Sequence, residues 1–142
     1  MRLLQYLFIF VVLFPGFYCS LLNAQDTTNY NGFRKFYFPS GVISSEGIMV
    51  NGKPDGYWKA YYENGKLKSE GNRKNSELDS IWKFYNESGK KILEVNYRNG
   101  KKNGIKSSYL DKEIIRENFR NDIKEGFTRI YYADSILKED IP

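Results

Sequence analysis

A block of about 15 residues recurs in register along most of this chain. Its clearest copy is Gly56-Tyr-Trp-Lys-Ala-Tyr-Tyr-Glu-Asn-Gly-Lys-Leu-Lys-Ser-Glu70. A shift of 24 residues lays it on Ser80-Ile-Trp-Lys-Phe-Tyr-Asn-Glu-Ser-Gly-Lys-Lys-Ile-Leu-Glu94. The reverse shift lays it on Gly32-Phe-Arg-Lys-Phe-Tyr-Phe-Pro-Ser-Gly-Val-Ile-Ser-Ser-Glu46. Two further copies start at Gly104 and Gly126 and are one residue shorter in the first turn. The sixth residue of each copy is Tyr (Tyr37, Tyr61, Tyr85, Tyr109, Tyr131), and the closing acid is Glu (Glu46, Glu70, Glu94, Glu117, Glu139). A period of 22–24 residues allows one supersecondary element per unit, and such an element hides its apolar surface only against its neighbours. Residues 32–141 thus read as five units, the last truncated.

Each unit reads as a β-hairpin, and the fold class as all-β, a single antiparallel sheet of successive hairpins. Asn64-Gly65 lies between short alternating runs, the signal for a two-residue type I′ turn. Ser40-Gly41 and Ser88-Gly89 are weaker forms of it. A second turn links the units at Asn51-Gly52, Asn75-Ser76, Asn99-Gly100 and Asn121-Asp122. With Asn64-Gly65 at the tip, Tyr62 is expected opposite Leu67, Tyr61 opposite Lys68, Ala60 opposite Ser69 and Lys59 opposite Glu70. The same counting pairs Lys35 with Glu46 and Lys83 with Glu94. A three-residue tip at Ala133-Asp134-Ser135 places Arg129 opposite Glu139. A tip at Asp111-Lys112-Glu113 places Ser107 opposite Glu117. Four of the five units then carry an opposite-charge pair across their strands, each worth about 0.2–1 kcal/mol.

Side chains alternate along a strand. Positions two, four and six of each unit share one face: an apolar residue (Phe33, Tyr57, Ile81, Ile105, Phe127), then mostly Lys or Arg, then the Tyr. This face hardly varies, which points to packing, and makes Tyr37, Tyr61, Tyr85, Tyr109 and Tyr131 the repeat scaffold. The opposite face drifts, with Arg34, Trp58, Trp82, Lys106 and Thr128 at position three. Drift points to solvent or a ligand. Trp58, Trp82 and Tyr62 are therefore the candidate binding residues. The preferred reading of the two Trp, ahead of a contact site, is cover for the sheet, with Gly71 opposite Trp58 making room for an indole.

Catalytic chemistry finds little to work with. There is no His, and the sole Cys, Cys19, lies in an apolar leader. His triads and His metal sites are excluded; no metal or cofactor is expected. Glu70 and Glu94 are the carboxylates that could be cast as an acid–base pair, but each has a Lys partner at a repeated position. Asp55 and Asp79 sit where turn chemistry alone accounts for an Asp. The chain is read as non-enzymatic.

Residues 1–24 read as a signal peptide: Arg2, a run from Leu3 to Phe14 that is apolar except for Gln5 and Tyr6, Pro15-Gly16, and a small residue at Ala24. Residues 25–31 form a short linker. The expected destination is the periplasm, the outer surface or the exterior. Lipid attachment at Cys19 and retention of Leu3 to Leu22 as an anchor are the competing readings. Removing the leader takes one cation, so the net charge falls from +5 to +4. That excess is dispersed, so nucleic acid is not expected as a partner.

The pattern Gly-x-Trp-Lys-x-Tyr-Tyr-x-Asn-Gly-Lys-Leu-x-x-Glu, followed by an Asn-Gly-Lys-x-Asp-Gly link, resembles the bacterial variant of the MORN (membrane occupation and recognition nexus) repeat. The match is best at 51–76, good at 77–104 and weaker at 104–141. The resemblance implies an elongated, twisted sheet of hairpins, contact with a protein or membrane, and no catalytic residue. Proteins of that variant are often labelled as antitoxin components of toxin–antitoxin modules. Three functions follow as expectations: an exported protein-interaction module, a binder of cell-envelope glycan or lipid surfaces, and an antitoxin-like mask for a partner. The free last strand also suggests an edge-strand homodimer.

Overall fold

The computed structural model describes residues 30–142. The leader, its cleavage site near Ala24 and most of the 25–31 linker lie outside the described residues. The rest is one open antiparallel sheet of ten strands whose spatial order is the sequence order. They are β1 Gly32–Tyr37, β2 Ile43–Val50, β3 Lys53–Tyr61, β4 Leu67–Lys74, β5 Glu77–Tyr85, β6 Lys91–Arg98, β7 Lys101–Tyr109, β8 Glu113–Arg120, β9 Ile123–Tyr132 and β10 Leu137–Ile141. Strands lie about 4.8 Å apart, so the sheet is roughly 43 Å across its hydrogen-bonding direction.

Two kinds of turn alternate along the chain, and the type I′ geometry belongs to the other set from the one expected. It is found at the links between units, where Asn51 and Gly52 have φ of 50° and 71° and Asn75-Ser76, Asn99-Gly100 and Asn121-Asp122 repeat the positive pair. The Asn64-Gly65 tip is instead a three-residue loop, Glu63-Asn64-Gly65. Gly65 N–H donates to the Tyr62 carbonyl at 2.9 Å and Tyr62 N–H to the Lys66 carbonyl at 2.8 Å. Gly65 alone takes a positive φ, 79°. That is a type I turn closed by a left-handed residue. Gly41, Gly89 and Ser135 play the same part in the first, third and fifth units.

The longer tip shifts the register by one residue, and a β-bulge shifts it back. Tyr61 faces Leu67, not Lys68; Lys68 is extra, and Ala60 faces Ser69 as expected. Two offsets cancel, so Lys59 does lie opposite Glu70, as Lys35 does Glu46 and Lys83 does Glu94. Where only one offset was counted, the expected pair is wrong. In the fifth unit the tip is as expected, but a bulge at Lys138 puts Asp140, not Glu139, opposite Arg129. In the fourth unit Leu110 N–H donates to the Glu113 carbonyl across a two-residue tip with no bulge. Ser107 therefore faces Arg116, and Glu117 faces Lys106. All five hairpins thus carry an opposite-charge pair.

The two faces also exchange the roles expected of them. The drifting face holds the core: Trp58 and Trp82 are 6% and 3% exposed. The invariant face leaves its apolar row outside: Phe33 57%, Tyr57 47%, Ile81 48%, Ile105 51% and Phe127 52% exposed. A single-layer sheet explains this. Regular side chains standing up from one layer have nothing to cover them, whereas a large ring can lie down across a neighbouring strand if that strand presents no side chain.

Glycine supplies the clearing. A Cβ on Gly47 would fall 2.5 Å from Trp58 Cδ2, and one on Gly71 would fall 2.5 Å from Trp82 Cδ2. Gly71 is opposite Trp58 in register, but the indole it admits is that of Trp82, from the next unit. Each indole N–H then donates to the carbonyl one residue after its glycine: Trp58 Nε1 to Ile48 O at 2.9 Å, Trp82 Nε1 to Asn72 O at 2.7 Å. One step further both members change. Val95 stands where Gly71 stood, is 2% exposed, and pairs with Lys106 in place of a Trp.

Gly71→Val alone forces a branched side chain into the indole plane and is expected to cost about 2–3 kcal/mol. Trp82→Lys alone removes buried aromatic surface and is expected to cost about 3–5 kcal/mol. The double variant copies the Val95–Lys106 step. Its cost, from urea denaturation, is expected to fall short of the sum by more than about 1 kcal/mol.

Candidate interaction surface

On the invariant face one row of residues, joined by register, crosses the whole sheet. From β1 to β10 it reads Lys35, Glu46, Lys59, Glu70, Lys83, Glu94, Ser107, Arg116, Arg129, Asp140. Charge alternates at every step through Glu94. Each acid in this stretch faces a cation within its own hairpin, and Glu46 and Glu70 also face one from the next unit. Sheet partners of opposite sign attract, so the row ties units together as well as hairpins.

The repeated tyrosines add a second tie. Tyr61 donates to Glu46 Oε1 at 2.6 Å, and Tyr85 to Glu70 Oε1 at 2.6 Å. Each phenol reaches back one unit to the preceding closing acid. Glu70 also accepts from the Tyr57 hydroxyl at 2.7 Å. These bonds tie Tyr61 to Glu46 and Tyr85 to Glu70 across the first three units. The tie changes further along: Lys91 Nζ lies 4.3 Å from the centroid of the Tyr109 ring, and the Arg116 guanidinium 4.7 Å from that of Tyr131. Tyr37, in the first unit, is 59% exposed.

These contacts set the ionisation of the ladder. Partial burial, followed by the hydrogen bond to a carboxylate, pushes Tyr57, Tyr61 and Tyr85 up to about 12. Burial alone would raise Glu70, but the hydroxyls of Tyr85 and Tyr57, with Lys83 and Lys59 alongside, hold it below its ordinary value. The carboxylate is therefore kept ionised as an acceptor and the phenols neutral as donors. That is the protonation of a structural clasp, not of an acid–base pair.

The candidate binding residues of the other face are used internally. Trp58 and Trp82 lie flat over glycine with both N–H groups bonded. Phe36 stacks on Trp58 with ring centroids 6.1 Å apart, and Arg73 sits over Trp82 at 5.3 Å. Tyr62 is half-buried and donates its hydroxyl to the Tyr85 carbonyl at 2.8 Å. The three do not converge on one open site.

What remains open is the apolar row that the repeat pattern had assigned to packing. Phe33, Tyr57, Ile81, Ile105 and Phe127 recur once per unit, two strands or roughly 9.6 Å apart. Between the first two lies a cleft of about 360 Å³ walled by Phe33, Ile48 and Tyr57, with Glu46 and Lys59 at its polar side. A second cleft of about 340 Å³ lies between Ile105 and Phe127. Ile48 pairs with Phe33, and Asn72, Asn96 and Asn118 pair with Tyr57, Ile81 and Ile105, so the row is apolar anchors spaced by amides beside fixed charges, a mixed composition that suits a contact surface. The signal was already in the sequence, in the constancy of position two; which face a one-layer sheet leaves bare was not.

Among the described residues no group of three His, Cys, Asp or Glu is placed to hold a metal ion, and no helix is long and apolar enough to cross a membrane. Residues 54–75 and 78–99 match the family model of the MORN repeat variant. These segments run from β3 to the link after β4 and from β5 to the link after β6. No curated protein matches the chain. MORN repeats are in general non-enzymatic modules that contact proteins or membrane lipids.

Removing one phenol hydroxyl with Tyr85→Phe is expected to cost about 1 kcal/mol, a charge-assisted bond discounted for partial exposure. The folded state holds the phenol protons more tightly than the unfolded chain. Their contribution is complete below pH 10 and lost as pH climbs toward about 12. Glu70 acts in the opposite sense: its contribution is complete above the ordinary carboxylate value of 4.5 and lost as pH falls through its lowered one. Thermal melts across pH should show both declines, and Tyr61→Phe with Tyr85→Phe should flatten the alkaline one.

Proposed function

We propose that this chain is an exported, non-catalytic interaction module that receives a partner protein on the exposed apolar row of its invariant face. The observation that carries the reading is the row itself: five large apolar residues, each about half exposed, at one-unit intervals beside fixed charges. A long surface of repeated anchors suits an extended partner, since each unit adds an equivalent contact. Export rests on the apolar leader. Masking of a toxin would be one use of the same surface.

The neutral tyrosines and ionised glutamates support a binding role in a different way. They fix the row's geometry by ties inside the sheet, so little order has to be gained on binding. A glycan-binding role would draw on open indole faces, and Trp58 and Trp82 offer almost none.

Site-specific photo-cross-linking in cells that express the full-length chain tests this. A photoreactive residue at Ile81 or Tyr57 is expected to give a discrete protein adduct, and one at Lys68 to give none. The cross-linked chain is expected to begin at Gln25 by mass spectrometry. Adducts absent from both positions on the row would contradict the binding reading, and a chain retaining residues 1–24 would contradict cleavage.

A further inference from the structure

The alternating row breaks at one place. After Glu94 comes Ser107, where a cation is due, and then Arg116 and Arg129 stand directly opposite each other on β8 and β9. Like charges directly opposite in a sheet are destabilising. Asp140 is the one acid in this part of the row, and it contacts Arg129, Oδ1 to Nε, at 3.4 Å. Arg116 has no ion-pair partner among the described residues. Its guanidinium is held instead over the Tyr131 ring, which positions it without engaging its N–H donors.

A cleft of about 140 Å³ is lined by both guanidinium groups and by Ile105, Glu117, Asn118, Phe127 and Tyr131, the Glu117 carboxylate being neutralised by Lys106 Nζ at 2.8 Å. It borders the larger cleft between Ile105 and Phe127, sharing Asn118 and Arg129 with it. Two cations, one amide, one carboxylate already paired with Lys106 and two half-exposed apolar side chains therefore border one opening.

We propose that this break is an acceptor for an acidic segment of a protein partner. An Asp or Glu carboxylate would lie between Arg116 and Arg129, with an adjoining apolar side chain on Ile105 and Phe127. The proposal rests on the interaction-module reading and gives its partner a chemistry. A guanidinium fork matches a planar carboxylate in bidentate fashion. The apolar walls require an apolar group next to the charge, which a peptide supplies and a free anion does not. The surroundings disfavour an anionic lipid surface: such surfaces are read by clusters of about four to eight cations, whereas here Glu113, Glu117, Glu125 and Asp140 are interspersed on β8 to β10. A bound carboxylate also relieves the Arg–Arg repulsion, so the free sheet holds the site in an unfavourable state that the partner corrects.

The test uses the full-length chain and the peptide Leu-Glu-Leu-Glu-Leu-Glu, followed through the Arg side-chain Nε–H resonances. Saturable shifts are expected at Arg116 and Arg129. The peptide with Gln in place of Glu should bind about tenfold more weakly, as should the full peptide to Arg116→Gln or Arg129→Gln. The melting midpoint of Arg116→Gln should be unchanged or higher, which separates lost binding from lost folding. Equal affinity for the Gln peptide, or unchanged binding by the double variant, would overturn the proposal. So would Arg-dependent sedimentation with phosphatidylglycerol vesicles in the absence of peptide binding. Failure here with cross-linking retained at Ile81 would remove this site and leave the interaction-module reading standing.

Discussion

An indole lying over a glycine is the contact on which the rest of this sheet depends. A one-layer sheet has no second layer against which to bury side chains, and strand hydrogen bonds alone do not exclude water. Trp58 over Gly47 and Trp82 over Gly71 create a core within the thickness of a single sheet, because each ring covers the backbone of the neighbouring unit. The indole N–H groups, bonded to backbone carbonyls, leave no polar cost in that core. Among the described residues, all the buried ones, from Gly47 to Ser107, belong to β2–β7, the part of the sheet around these rings. The last three strands hold no buried residue and rely on pairing, ion pairs and cation–aromatic contacts.

With burial assigned to one face, the other is free to stay open. Its charges are matched from Lys35 to Glu94 rather than shielded by packing, and the Tyr61 and Tyr85 phenols bind carboxylates of the unit before. These ties need no cover from a second layer, so the apolar residues between them can remain exposed. The same logic locates the exception. Where Ser107 and Arg116 interrupt the alternation, the sheet no longer balances its own charge, and that is where a partner's charge has most to offer.

The hairpin array, its ten strands and the unit boundaries could be read from the chain because the repeat states them five times. The central pairings at Lys35, Lys59 and Lys83 were legible for a less secure reason: a longer tip and a bulge offset each other. At Arg129 the longer tip is legible but the bulge is not, and at Ser107 the tip is two residues with no bulge, so a register counted from a three-residue tip alone is off by one residue. Bulges leave no strong mark in composition, so their sum could not be counted in advance. Constancy along one face implies packing only where a second layer covers that face. In a globular domain a repeated apolar position is buried; in a one-layer sheet it is buried only if the side chain can lie down, and Phe33, Ile81 and Phe127 have no glycine to lie on. The sequence marks Gly71 as a clearing opposite Trp58, yet the indole it admits is that of Trp82 in the following unit. Sequence offset alone does not tell which way a ring leans.

If the indole–glycine contacts carry the array, stability should be uneven along it. Native-state hydrogen exchange of the full-length chain, resolved by residue, measures this directly. The slowest amides are expected in β3–β6 around Trp58 and Trp82, with protection falling toward β9 and β10. Uniform protection across the ten strands, or slowest exchange in β8–β10, would contradict the account.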